Sequence, residues 1–210
     1  MTHEQYLAIR EDIMQWIAKR LKKGRFQHTL GVEQTAVALA QRYEIDTQMS
    51  SLAALLHDNA KNMDMEQQLL LCQQYFPEIG LSSQYAMVLH AFAGAAAAKQ
   101  RYPQLPEELI EAIAYHTTGR AHMGTLEKII YIADYIEPNR KSFAGLEKAR
   151  KWAQKNLDRC MALILQQTNE YVMMNYKPVH PLSIEAAQYY HILSKQEMNL
   201  SKSEKKEGKK

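Results

Sequence analysis

The sequence predicts an all-α fold: one bundle of roughly nine helices, followed by a disordered basic C-terminal tail. Three observations carry that reading. Apolar residues recur at spacings of three or four along nearly the whole chain, which is the helical period. No run alternates Val, Ile or Thr with polar residues as a half-buried strand does. Neither an internal repeat nor a linker long enough to separate domains interrupts the pattern, so residues 1–194 are expected to form a single domain and 195–210 the tail.

The first helix covers 4–22, with Tyr6, Ile9, Ile13, Ile17 and Leu21 along one face. Gly24-Arg25 breaks it, and a second helix runs from Gln27 to Tyr43. Asp46-Thr47 reads as an N-cap region for a helix over 48–60. Asp64 caps a shorter helix that reaches Tyr75, and Pro77 and Gly80 punctuate the connection beyond it. Residues 82–100 form a helix whose apolar stretch, YAMVLHAFAGAAAA at 85–98, is too short for a membrane span and is interrupted by His90 and Gly94. After Pro103 and Pro106, PEELIEAIAYH opens with proline and acid, as helix N-termini do, and Thr117-Thr118-Gly119 ends it. LEKIIYIADYIE at 126–137 is helical by its flanks, although Ile-Ile-Tyr-Ile alone would pass for a strand, and Pro138 stops it. One long helix is then expected from Leu146 to Asn175, and a last one over 182–195 after Pro178 and Pro181.

The charge is localised. The chain carries a net +3, but KQEMNLSKSEKKEGKK at 195–210 holds six lysines and three glutamates, so the body sums to zero. The basic balance therefore belongs to a tail with too few apolar residues to offset its ordering entropy, and no DNA or RNA partner is expected. Two cysteines, Cys72 and Cys160, lie far apart in no metal spacing, which excludes a disulfide framework and suits a reducing cytoplasm. The first twenty residues are charged throughout and have no apolar signal-peptide centre, so neither export nor membrane insertion is expected.

Chemistry enters with SLAALLHDNAKNMD at 51–64, where His57 and Asp58 follow an apolar run. A single His-Asp pair is weak evidence. Four of the eight histidines share its setting, however: His28, His57, His90 and His116 each lie on a different predicted helix, at or near apolar residues. Asp134 sits on a fifth, between IIYIA and YIE. Taken singly, each histidine is more often a hydrogen-bonded core residue than a ligand, and Asp134 alone could be a cap or a salt-bridge partner. Together, that many buried titratable groups would be expensive without a compensating cation. Helix bundles build metal sites from inward-pointing His and carboxylates in this way. Six ligands exceed a tetrahedral zinc site and suit two ions, with Asp58 bridging, since adjacent helix residues point about 100° apart. Nitrogen and oxygen donors without thiolate point to iron, manganese or cobalt before a softer metal, and do not choose among the three.

The pattern H…HD…H…H…D resembles the dinuclear branch of the HD-domain metal-dependent phosphohydrolases. RFQHTLGV at 25–32, HAFAGA at 90–95 and YHTTGRAHMGTLEKIIYIADYIEPNR at 115–140 narrow the resemblance to the YqeK family of bacterial symmetrical diadenosine tetraphosphate (Ap4A) hydrolases. It runs from about residue 4 to residue 193. It implies an all-α HD fold, a di-iron centre, a homodimer and conversion of Ap4A to two ADP. The ligands it implies are His28, His57, Asp58, His90, His116 and Asp134. Asn59 departs from it, standing where an apolar or aromatic residue is expected.

The ligand set suggests a hydroxide bridging two ions and attacking the β-phosphorus of one ADP half, with the other ADP leaving. Asp58 and Lys61 are the expected catalytic residues, Lys61 sharing a helix face with His57. Arg25, Lys61 and Arg140 are expected on the phosphates, although a surface salt bridge is the simpler role for each. Thr117, Thr118 and Gly119 could offer hydroxyls and backbone N–H groups to a phosphate, but the same residues read as an ordinary helix stop. His122 has no assigned role, and His3, His180 and His191 read as surface or packing residues. Competing readings are an HD phosphohydrolase for mononucleotides or (p)ppGpp, a di-iron oxygenase, and a nucleotide-binding module with a structural metal.

Overall fold

The structure, a computed structural model, describes residues 2–207, with side chains described through residue 196. Among the described residues there are ten α-helices and no strand. They are α1 (His3–Arg20), α2 (Lys23–Arg42), α3 (Thr47–Leu56), α4 (Met65–Tyr75), α5 (Ala86–Arg101), α6 (Glu107–Ala114), α7 (Thr125–Ile136), α8 (Leu146–Ala153), α9 (Leu157–Met174) and α10 (Pro181–Glu207). Among the described residues, no helix is long and apolar enough to cross a membrane. From residue 197 onward, the expected disordered tail lies outside the described side chains.

Helix α3 is the pivot. From Ser50 to Leu56 every residue is buried, because α1, α2, α6 and α7 pack around it. Its start follows from Asp46, whose carboxylate accepts from the backbone N–H groups of Gln48 and Met49 at 2.8 and 3.0 Å. Leu52, Leu55 and Leu56 join Ile13 and Ile17 of α1, Phe92 of α5, Leu109 and Ile113 of α6 and Ile129 of α7 in a continuous apolar core. Each of these fully buried side chains contributes about 1.5–3 kcal/mol of burial free energy.

Four boundaries within the body differ from the sequence expectation, and α10 runs on to Glu207, past the expected end at 195. The first two helices separate at Leu21-Lys22, both extended, and Gly24 and Arg25 lie inside the first turn of α2. Helix α3 stops at Leu56, so His57 to Lys61 form successive turns, with Asn59 N–H donating to Leu56 O and Lys61 N–H to Asp58 O. Lys61 therefore does not share a helix face with His57. Residues 83–85 form a 3₁₀ turn ahead of α5. The long helix expected over 146–175 is two helices, α8 and α9. Asn156 adopts an extended conformation and its side chain accepts from Arg159 N–H at 2.8 Å, which starts α9 afresh.

Candidate metal centre

Five elements bring the six expected ligands together. Helix α2 carries His28, the turn closing α3 carries His57 and Asp58, α5 carries His90, the turn after α6 carries His116, and α7 carries Asp134. Three overlapping triads result: His28–His57–Asp58, His57–His116–Asp134 and Asp58–His90–His116. Within each, one ligand atom per residue lies within 4.8 Å of the others.

Three imidazoles are held by their far nitrogen. His57 Nδ1 lies 2.6 Å from Ala54 O and His116 Nδ1 2.7 Å from Ile113 O. Carbonyl oxygens only accept, so Nδ1 carries the hydrogen and the Nε2 lone pair faces the centre. His28 Nδ1 likewise meets Glu137 Oε1 at 3.1 Å. Asp58 divides its oxygens. Oδ2 is 3.3 Å from His57 Nε2 and 3.9 Å from His28 Nε2, whereas Oδ1 is 3.2 Å from His90 Nε2 and 3.7 Å from His116 Nε2. Asp134 Oδ1 is 2.9 Å from His28 Nε2 and 4.0 Å from His57 Nε2.

Acceptors thus face acceptors. His57 Nε2, His116 Nε2 and Asp58 Oδ1 are buried without a hydrogen-bond donor. Buried polar groups are rarely left this way, and a cation among the lone pairs resolves the arrangement. The protonation states fit as well. Burial opposes ionisation of Asp58, but positive charge and donated hydrogens at His57, His116 and His90 outweigh it in the metal-free protein and hold the carboxyl well below the usual carboxylate range, a role that a cation held by the same imidazoles would take over. Asp134 is held low against the same burial by His28, His57 and Arg140. Burial, reinforced by Lys61, pushes His90 down to about 4, so it is neutral at pH 7 as a ligand must be.

Cations rim the cluster. Arg25 Nη1 is 2.8 Å from Asp58 Oδ2, and Arg140 Nη2 is 2.8 Å from Asp134 Oδ1. Lys61 Nζ is 2.9 Å from His90 Nε2 and 3.9 Å from Asp58 Oδ1. Each of the three is about a third exposed, so all of them border solvent. The Thr117-Thr118-Gly119 segment is placed differently. Neither hydroxyl reaches solvent, and neither has a partner among the described residues. Gly119, at φ +63°, ends its turn by donating to Tyr115 O and faces Leu165 and Ala186. This geometry supports the helix stop. His122 packs on Tyr189 and His180 on Tyr85, in both cases away from the six.

The sequence reading overlooked Glu137, Gly31 and Asn139. Glu137 is buried, holds His28 with one oxygen and accepts Asn139 N–H with the other at 2.6 Å. Gly31 makes room for it, since a Cβ there would stand 2.5 Å from Glu137 Oε2. The one signal for Glu137 was an acidic residue between Ile136 and Pro138 at the end of an apolar helix. Asn59, the departure from the family pattern, is buried and donates to Leu56 O and Gly94 O at 2.7 and 2.9 Å, tying the ligand turn to α5. A groove of about 420 Å³ opens beside the centre and includes Arg25, His28, Glu137 and Arg140 in its wall. A larger cavity, about 560 Å³, lies beneath Ile9, Met49 and Leu109 and includes none of the six.

Residues 25–139 match the HD domain family. The chain is 36% identical over 183 residues to the symmetrical bis(5'-nucleosyl)-tetraphosphatase of Halalkalibacterium halodurans, covering 87% of this chain and 96% of the relative. It is 34% identical to the protein of the same name from Bacillus subtilis, covering 82% and 92%. The crystal structure of an HD superfamily hydrolase from Clostridium acetobutylicum, described as involved in NAD metabolism, superposes with a TM-score of 0.78 at 35% identity, covering 86% of this chain and 95% of that one. With an all-helical bundle and a buried His/Asp cluster compatible with a metal site, the chain belongs to the HD-domain hydrolases, among the relatives named symmetrical bis(5'-nucleosyl)-tetraphosphatases.

Proposed function

We propose that this chain hydrolyses diadenosine tetraphosphate symmetrically to two ADP, at a centre where His28, His57, Asp58, His90, His116 and Asp134 hold two divalent ions. The observation that carries the dinuclear reading is Asp58: one oxygen faces His28 and His57, the other His90 and His116, as a bridging carboxylate requires. The donors are imidazole and carboxylate, and Cys72 and Cys160 stand apart from them, which favours iron over softer metals. Two such ions would supply Lewis acidity, an acidified water and net positive charge for a polyphosphate.

The chain's own residues orient the substrate. Arg25 and Arg140 each engage a ligand carboxylate and present their remaining N–H groups to phosphate oxygens. Lys61 stands over His90 and neutralises charge on the opposite side. Attack by water at a β-phosphorus, in line with the departing half, gives two ADP. The terminal phosphate of ADP is a weak base, so its departure needs charge neutralisation more than a proton donor. Thr117, Thr118 and Gly119 take no part in this scheme. Two buried free thiols support a reducing compartment. Exposed Tyr171, Met173 and Met174 on α9 and Ile184 and Ile192 on α10 support association of two copies.

The test is product analysis. Purified iron-loaded protein is incubated with Ap4A and the products are separated by ion exchange, beside Asp58→Ala. ADP alone, absent in the variant, is expected. AMP plus ATP would refute attack at the β-phosphorus. No turnover of Ap4A, with phosphate released from mononucleotides or pyrophosphate from (p)ppGpp, would move the assignment to those substrates.

A further inference from the structure

The chain between α7 and α8 has no regular structure, yet it is fastened at both ends. Arg150 donates to Ile136 O and Glu137 O at 3.2 and 3.1 Å. Gln167 donates to Ala144 O at 3.0 Å and accepts from the Tyr135 hydroxyl at 3.0 Å. Gly145, at φ +96°, lets the Gln167 amide pass where any Cβ would collide with it. These bonds fix Phe143, whose ring stands edge-on to Tyr135 with centroids 5.2 Å apart and is 41% exposed. A perpendicular neighbour covers at most one face of the ring, which leaves the other face for contact.

That face lines the same 420 Å³ groove as Arg25, His28, Glu137, Arg140 and Lys141. The charges there are not equivalent. Glu137 is committed to His28 and Asn139, and Arg25 and Arg140 to the ligand carboxylates. Lys141 has no ion-pair partner among the described residues. Gly24, in the groove wall, has open space where its side chain would be. The groove therefore combines the metal centre's edge, a set of cations and an exposed aromatic ring. Its volume is near the lower end for small-molecule sites, about 300–1,000 Å³.

We propose that this groove seats one nucleoside diphosphate half of the substrate, with the base stacked on Phe143 and Lys141 against the phosphates. The inference rests on the function proposed above and adds the residues that recognise the nucleoside. A phenyl face stacks on any base, whereas phosphate recognition needs only the cations. The two moieties of the ligand can therefore be separated by experiment.

Metal-loaded protein is titrated with ADP and, separately, with inorganic pyrophosphate, and Ap4A kinetics are measured in parallel. Phe143→Ala should weaken ADP binding about tenfold and leave pyrophosphate binding within about twofold, because base–aromatic stacking is what it removes. It should raise KM for Ap4A and spare kcat, and Phe143→Trp should restore ADP binding. Lys141→Ala should weaken ADP and pyrophosphate alike. Wild-type ADP affinity in Phe143→Ala overturns the proposal. So does an equal loss of both ligands that Trp does not rescue, which would mean collapse of the loop. If the wild-type protein cleaves Ap4A while either result holds, the functional assignment stands and the groove is wrong. If the wild type neither cleaves Ap4A nor binds ADP, both fail.

Discussion

Gly31→Ala separates helix propensity from ligand alignment, because the two act with opposite sign. In an exposed helix interior the change would stabilise by about 1 kcal/mol. Here the new methyl would stand 2.5 Å from Glu137 Oε2 and 2.9 Å from Asn139 Nδ2, where ordinary contact begins at 3.4 Å. Glu137 must withdraw by about 0.9 Å, which stretches its 3.1 Å bond to His28 toward an upper limit of about 4 Å and weakens or breaks it. The lost buried bond costs about 1–3 kcal/mol, so the metal-free protein should melt at nearly its original temperature or a few degrees lower. Metal affinity should suffer far more, by about 10- to 100-fold, because the partner that orients His28 has moved. Calorimetric titration with Mn²⁺, paired with thermal melts of the metal-free form, measures both. Glu137→Ala, which removes the carboxylate without crowding α2, should reproduce the affinity loss. Wild-type metal affinity in both variants would refute the idea that Glu137 aligns His28.

Two other outcomes follow from the loop after α7 and from the buried histidines. Gly145→Ala forces a side chain into the left-handed region and displaces the Gln167 amide, so a loss of about 2 kcal/mol is expected, read as a fall of roughly 4–8 °C in Tm. Metal affinity should be unchanged there, and its loss would contradict the separation of loop and centre. Acid should destabilise the metal-free protein well above the carboxylate range. Burial lowers His180, and burial with Lys61 brings His90 from 6.5 to about 4, so between those values the unfolded chain binds more protons. Stability is then complete above pH 6.5 and falls as pH drops toward 4, which urea midpoints across that range will show. His180→Phe should flatten the slope, and a midpoint that is level or rises on acidification would contradict the sign.

The convergence of the six His and Asp residues was legible because most of them lie within or at the end of an apolar run, and a polar residue in such a setting needs a reason. Helix count and type were legible from period alone, apart from the division of α8 from α9. That break depends on one asparagine in a polar segment, where periodicity is silent. Glu137 was not legible because its partner lies 109 residues away and its reason for burial is the missing side chain of Gly31. Phe143 lies in irregular chain, so no spacing marks it, and its exposure exists only once Tyr135 and Gln167 are in place. Thr117-Thr118-Gly119 was ambiguous for the reverse reason: residues suited to cradling an anion also suit a tight turn, and the sequence does not choose between them.

The anchoring of His57 and His116 has a further consequence. Each ring is hung from a carbonyl in the last turn of the helix that precedes it, at Ala54 and Ile113. Helix C-termini are short of donors and carry partial negative charge, so the imidazoles complete the helices while the helices draw cations toward the site. His57 cannot turn away without fraying the end of α3, the most enclosed helix of the bundle. Ring orientation is thereby inherited from the apolar core rather than imposed by a bound ion. Unlike a zinc finger, which collapses when stripped, a protein built this way is expected to keep its shape under chelation and to take up metal again on resupply, without a cycle of refolding.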